Sequence, residues 1–208
     1  MILIGQYDSS FVRRVGIALK LLGIAFEQRP WSVFSDMHLI RPLNPLTRVP
    51  TLVLDDDDVL VDSHLIIAHL EDVAPEGRSL WPAVQPWRHR ARKVVGLATG
   101  LADKGVSLFY EQALHKDVSP VWVERCKAQI AGALAMLDED RAMHSSAYWF
   151  GDDIGHADIA VACAIRHTRE ALPDVVAMQD YPALRAHCEK LEALPVFREI
   201  SQPFIAPA

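Results

Sequence analysis

Arg48-Val49-Pro50-Thr51-Leu52-Val53-Leu54 sets a proline at the doorway of an apolar strand, and Asp62-Ser63 follows one hairpin later. Proline has no N–H to give to a ladder and belongs at strand starts, and X-Pro is the one bond whose cis form costs little, about 0.5 to 1 kcal/mol. A cis bond ahead of Pro50 would turn the N–H and C=O of Val49 outward, where an extended ligand can pair with them. The ordinary alternative is a trans proline that only opens the strand, since about 5 to 6% of X-Pro bonds in folded proteins are cis. The surrounding sequence has to decide.

Upstream, Ile2-Leu3-Ile4 reads as a short buried strand ending near Gly5. A helix is predicted next, with apolar Val12, Val15, Leu19 and Leu22 at three- and four-residue steps and Gly23 as its C-terminal stop. Ala25 to Trp31 reads as a second strand, parallel to the first through a right-handed β-α-β crossover. Thr51 to Leu54 and Val59 to Val61 make a hairpin around Asp55-Asp56-Asp57-Asp58, a solvated turn without the spaced ligands and closing glutamate of a calcium loop. A helix from Ser63 to about Val73 carries Ile66, Ile67, Leu70 and Val73 on its buried side. Pro75, Gly77, Pro82 and Pro86 then interrupt helix and sheet alike. Beyond Trp87 only helical periods recur, in Val94, Ala98, Leu101 and Leu108 and again in Val123, Cys126, Ile130, Leu134 and Leu137. The expectation is an α/β domain of β-α-β-β-β-α type over residues 1–77, a linker over 78–86, and an all-α bundle over 87–208.

The totals exclude several classes. The 208 residues suffice for a sizeable core, and a net charge of −6 argues against a nucleic-acid or anionic-membrane partner. No apolar run approaches the roughly 18 residues of a spanning helix, and Met1-Ile2-Leu3-Ile4-Gly5 has neither the basic start nor the length of a signal peptide, so a cytoplasmic protein is expected. Cys126, Cys163 and Cys188 form no C-x-x-C pair and read as reduced, buried thiols. Histidines are scattered, and His64 and His69 are spaced to point to different sides of a helix, so no metal site is inferred.

A small β-α-β-β-β-α domain with a Val-Pro at a strand start, followed by a proline-rich linker and a helical domain, resembles the glutathione S-transferase family. Tyr7-Asp8-Ser9-Ser10-Phe11-Val12-Arg13-Arg14-Val15 resembles the Ser-Pro-Phe-Val-Arg segment of bacterial members. Asn44-Pro45-Leu46-Thr47-Arg48-Val49-Pro50 resembles the loop before their cis-proline, and Asp62-Ser63 the acidic-Ser pair that holds a γ-glutamyl end. Gly151 through Ala157-Asp158 resembles the buried helix start of the second domain, with Gly155 where the family has Ser or Thr as N-cap. The resemblance covers nearly the whole chain and implies a thioredoxin-like first domain, glutathione as co-substrate, an electrophilic small molecule as acceptor, no metal, and a homodimer built on the helix after Ser63 and the first helix of the second domain.

Glutathione carries two carboxylates, an ammonium and a thiol. The resemblance gives Ser63 and the helix start behind it the γ-glutamyl carboxylate, Asp62 the ammonium, Val49 with Pro50 the cysteinyl backbone, and Arg48 the glycine carboxylate. The plain readings are Ser63 as N-cap, Asp62 as a first-turn carboxylate and Arg48 as a solvated charge. Ser9 is the first choice for the hydroxyl facing the sulfur, Ser10 the second and Tyr7 a distant third, while Arg13 and Arg14 read as structural or field-contributing. A hydroxyl donor and the helix N-terminus together lower a thiol pKa near 8.5 by roughly one to three units. Cysteine is absent at positions 9 and 10, which argues against thiol transfer through an enzyme thiolate. A zeta-type isomerase is the nearest alternative, because Ser9-Ser10 followed by Arg14-Val15 also resembles its Ser-Ser-Cys-x-x-Arg-Val segment, although the cysteine after the serine pair is missing, with Phe11 in its place, which counts against it. A non-catalytic binding module is a third possibility. Lys104, Leu108, Phe109 and Tyr110 are candidates for the acceptor wall, and none is assigned to it.

Overall fold

A mixed sheet of four short strands, in the order β2-β1-β3-β4, organises the first part of the chain. Residues 1–206 are described in a computed structural model and fall into two units, one from Met1 to Leu80 together with the segment from Leu194 onward, the other from Trp81 to Ala193. In the first, β1 (Ile2–Ile4) pairs parallel with β2 (Glu27–Arg29) and antiparallel with β3 (Thr51–Val53), and β3 pairs antiparallel with β4 (Val59–Val61). The β-α-β-β-β-α order is therefore as expected, with β2 shorter than the Ala25 to Trp31 run. Pro30 has no N–H for a ladder, and Trp31 turns its own N–H back to Arg29 O at 2.8 Å. A one-turn helix, α2 (Met37–Ile40), was not expected. It buries only Ile40.

Helix α1 (Ser10–Leu22) forms where its signals place it. Ser9 is the N-cap, its Oγ accepting the N–H of Val12 at 3.4 Å, and Gly23 closes the helix at φ 74°, a conformation costly for residues with a Cβ. Val12, Val15 and Leu19 are fully buried, as are Leu3, Ile4 and Leu52 of the sheet. Each such side chain contributes about 1.5 to 3 kcal/mol of burial. Helix α3 (Ser63–Val73) packs on α1 through Ile66, Ile67 and Leu70. Val73, expected on that buried face, is 46% exposed, because it is the last residue of α3 before the extended cap Ala74.

The segment from Leu194 returns to the sheet unit, whereas the sequence reading carried the helical domain to residue 208. Arg13, buried in α1, donates Nε to Ile200 O and Nη2 to Phe197 O, both at 2.8 Å, and its guanidinium lies over the Phe197 ring. Lys20 pairs with Glu199 of α8 (Pro195–Glu199) at 2.6 Å. Gly16 leaves room for the Tyr7 ring and Ile200, since a Cβ there would lie 2.9 and 3.0 Å from them.

The second unit is all-α, as expected: α4 (Trp87–Leu114), α5 (Pro120–Ala142), α6 (His156–Ala171) and α7 (Pro182–Glu192). Helix α6 is buried along nearly its whole length and packs on α4 and α7. Its start is fixed by Asp158, which accepts the N–H of Gly155 at 2.8 Å and that of Trp149 at 2.9 Å. His187 Nε2 lies 2.9 Å from the same carboxylate. Among the described residues no helix is long and apolar enough to cross a membrane, and no group of three or more His, Cys, Asp or Glu is placed to hold a metal ion.

Candidate active site

Strand register brings the sequence motifs to one end of the sheet. Ile4 pairs with Thr51, and Thr51 with Val61. The turn from Gly5 to Ser9 beyond Ile4, the Val49-Pro50 step ahead of Thr51 and the Asp62-Ser63 pair beyond Val61 therefore leave the sheet side by side. Three neighbouring strands span about 10 Å at their ordinary spacing of about 4.8 Å, close to the length of an extended tripeptide at about 3.3 to 3.6 Å per residue. Gly5 makes the close approach possible. At φ 129° it has no Cβ, which would otherwise lie 2.9 Å from Val49 Cβ and closer still to Val12.

The Val49–Pro50 bond is cis. Asn44, buried, holds the loop in front of it, donating Nδ2 to Arg48 O at 2.9 Å and to Thr51 Oγ1 at 3.1 Å, and accepting the N–H of Leu46. Thr51 Oγ1 donates to the same Arg48 carbonyl at 3.0 Å. With those bonds made, neither the N–H nor the C=O of the half-buried Val49 has a hydrogen-bond partner among the described residues. The Arg48 side chain is exposed, with no ion pair there either. Asn44 belongs to a segment the sequence singled out, but its clamp on the loop was not foreseen.

The two serines differ. Ser9 is half-buried, and while its Oγ accepts from Val12 N–H its proton remains available to a ligand. Ser10 begins α1 and is 3% exposed, its hydroxyl covered and without a partner among the described residues. Tyr7, the third candidate, packs against Gly16, and burial, then the nearby Glu199 carboxylate, pushes its phenol up to about 12. A phenol so held gives up its proton less readily than a free one.

Asp62, and not Ser63, is the N-cap of α3, which corrects the plain reading of that pair. Its carboxylate accepts the N–H of His64 at 2.8 Å, and its backbone sits at φ 74°, ψ 125°, a strained conformation for a side-chain-bearing residue. Ser63 is the first helical residue and is buried. Its Oγ accepts a hydrogen bond from Nη1 of Arg14 at 3.1 Å, a contact the sequence reading did not assign. Nothing periodic links positions 14 and 63, so the only sequence signal was an arginine on the apolar side of α1.

Of the acceptor candidates in α4, Leu108 is fully buried and belongs to the helical core. Lys104 lies over the Trp122 ring at 5.6 Å, and Phe109 and Tyr110 have ring centroids 6.1 Å apart. The three cysteines are all buried, and burial pushes the Cys188 thiol well up.

Known proteins similar to this chain fall in one family. The profile described as glutathione S-transferase, N-terminal domain, matches residues 3–78, and that described as glutathione S-transferase, C-terminal domain, matches residues 120–190. The uncharacterized GST-like protein YibF of Escherichia coli is 31% identical over 171 residues, covering 79% of this chain and 80% of its own length. Maleylacetoacetate isomerase of Mus musculus is 28% identical over 211 residues, covering 97% and 92%. A crystal structure of a glutathione S-transferase from Methylobacterium radiotolerans, in complex with glutathione sulfonate, superposes with a TM-score of 0.89 at 25% identity, covering 100% of this chain and 98% of the other. The N-terminal profile falls on the sheet unit and the C-terminal profile within the helical unit, and this chain belongs to the glutathione S-transferase family.

Proposed function

We propose that the chain binds glutathione along the shared strand end and activates its thiol as a thiolate against the Ser9 hydroxyl, for attack on an electrophilic small molecule. The observation that carries this is the unpartnered backbone of Val49, set between the Ser9 turn and the Asp62-Ser63 helix start. An extended ligand pairs with Val49 as a further strand, in the manner of β-augmentation. Ser63 receives the γ-glutamyl carboxylate, Asp62 its ammonium, and the exposed Arg48 the glycine carboxylate. Ser9 donates to the sulfur anion. A hydrogen bond to a charged group contributes about 1.5 to 3 kcal/mol and the α1 N-terminus about 0.3 to 1, together roughly one to three pKa units below 8.5. No general base is needed at neutral pH.

A second reading is a glutathione-dependent isomerase of the zeta type. It is favoured by the near full-length similarity to the mouse isomerase and by Ser9-Ser10 with Arg14-Val15. There the thiolate adds to a cis carbon–carbon double bond, the bond rotates, and elimination returns both the trans product and the thiol. Thiol balance separates the two. With an aryl halide as acceptor, the transferase consumes one thiol per conjugate formed, whereas the isomerase converts a cis-enedioate with no net thiol loss. Failure to be retained on immobilised glutathione, with no turnover in either assay, removes both readings. The homodimer belongs to the same proposal, and sedimentation should give twice the chain mass.

A further inference from the structure

We infer that Arg14 is a positioning residue that makes the Ser63 end of the site select a ligand carboxylate; the inference deepens the proposed function and rests on it. Arg14 is 2% exposed, and its Nη1 lies 3.1 Å from Ser63 Oγ. An arginine side chain has donors and no acceptor and keeps its charge at every working pH, so in this contact Ser63 must accept. A serine hydroxyl has one proton, and accepting from Arg14 points that proton at something else. Among the described residues it has no acceptor, and neither does the N–H of Ser63. One residue that is 3% exposed therefore holds two unsatisfied donors, side by side, at the first position of a helix and against a buried guanidinium. Buried donors are ordinarily satisfied. The complement of this pair is a group with two acceptor oxygens and a negative charge, and of the parts of glutathione at this end only the γ-glutamyl α-carboxylate answers that description. The ammonium beside it is repelled by Arg14 and directed to the Asp62 carboxylate. Arg14 thus acts through Ser63, setting the direction of its proton and the sign of the charge it accepts.

The test compares glutathione with its analogue lacking that carboxylate, γ-aminobutyryl-cysteinyl-glycine, in the full-length protein. Wild type should bind glutathione about 10- to 100-fold more tightly than the analogue. Arg14→Gln should raise the KM for glutathione by about the same factor, with saturated kcat within about threefold, and should leave the analogue's KM within about threefold. Arg14→Lys, which keeps a buried charge and a donor, should recover most of the loss for glutathione. Equal weakening of both ligands by Arg14→Gln, or a loss confined to kcat and melting temperature, overturns the inference and leaves Arg14 a structural residue. Should Arg14→Gln not fold, the Nε–H resonance of Arg14 in the wild-type protein takes its place: a shift on adding glutathione and none with the analogue supports the inference, and the same response to both overturns it. Wild type that binds neither ligand removes the reading of the site and this inference with it. Wild type that prefers glutathione, with Arg14→Gln keeping that preference, removes the inference alone.

Discussion

Replacing Ser9 by alanine separates the two jobs of one hydroxyl. As N-cap it accepts the Val12 N–H at 3.4 Å, a long bond, so the cost to folding falls at the low end of the range for such caps, about 0.5 to 1 kcal/mol. As donor to the ligand sulfur its loss removes a charge-assisted bond of about 1.5 to 3 kcal/mol, equivalent to about one to two pKa units in the bound thiol. The assay is the ultraviolet absorbance of the thiolate in the glutathione complex against pH, alongside the pH dependence of kcat/KM. In the wild type the bound thiol should titrate roughly one to three units below 8.5, and in Ser9→Ala about one to two units higher than in the wild type. Near pH 6 the variant should lose about 10- to 100-fold in rate, and the gap should close to about threefold above roughly pH 9, where both complexes are thiolate. Ser10→Ala should leave the profile where it is and preserve or slightly raise stability, because it removes a buried hydroxyl with no partner among the described residues. A bound-thiol pKa unmoved by Ser9→Ala, or moved by Ser10→Ala in its place, refutes the assignment.

Three further outcomes are expected of the same structure. Asp158→Ala removes the acceptor for two backbone N–H groups and the partner of His187; urea unfolding should show a loss of about 3 to 5 kcal/mol, and a loss below about 1 would contradict the role given to that carboxylate. The Tyr7 phenol, raised from 10.0 to about 12 by burial and by Glu199, keeps its proton in the folded state over a range where the unfolded chain has already lost it. Its contribution is therefore complete below pH 10 and is lost as pH rises from 10 to about 12; the melting temperature should fall across that window in the wild type and less steeply in Tyr7→Phe. Cys126, Cys163 and Cys188 are buried, so a disulfide reagent should label the native protein only as fast as it opens, and rapid stoichiometric labelling at neutral pH would show that one of them is accessible.

The features legible in the sequence are those written in local chemistry. The proline at a strand start, the glycine that ends α1 and the apolar steps of α1, α3 and the later helices each depend on residues a few positions apart. The architecture and the common strand end are consequences of them. Hidden from the sequence are the contacts whose partners folding brings in from afar. Arg14 meets Ser63 across two helices, Asn44 reaches over its loop to Thr51, and Arg13 collects the carbonyls of Phe197 and Ile200 and so draws the last residues back to the sheet. The change of cap from Ser63 to Asp62 is local, but it rests on a positive φ that favours glycine and that no residue type announces at position 62. Ser9 and Ser10 are chemically alike in sequence. Their burial is what separates them, with one hydroxyl half-buried at the cap and the other sealed under the first turn.

The measurement closest to the central claim is a titration of the isotope-labelled protein with glutathione, monitored through its backbone amide resonances. Saturable shifts should concentrate at Val49, Ser63 and the turn leading to Ser9, with the Val49 amide moving as an unpaired N–H moves on gaining a hydrogen bond. Saturable binding that leaves Val49 and Ser63 unmoved, or no binding at millimolar ligand, would contradict the account.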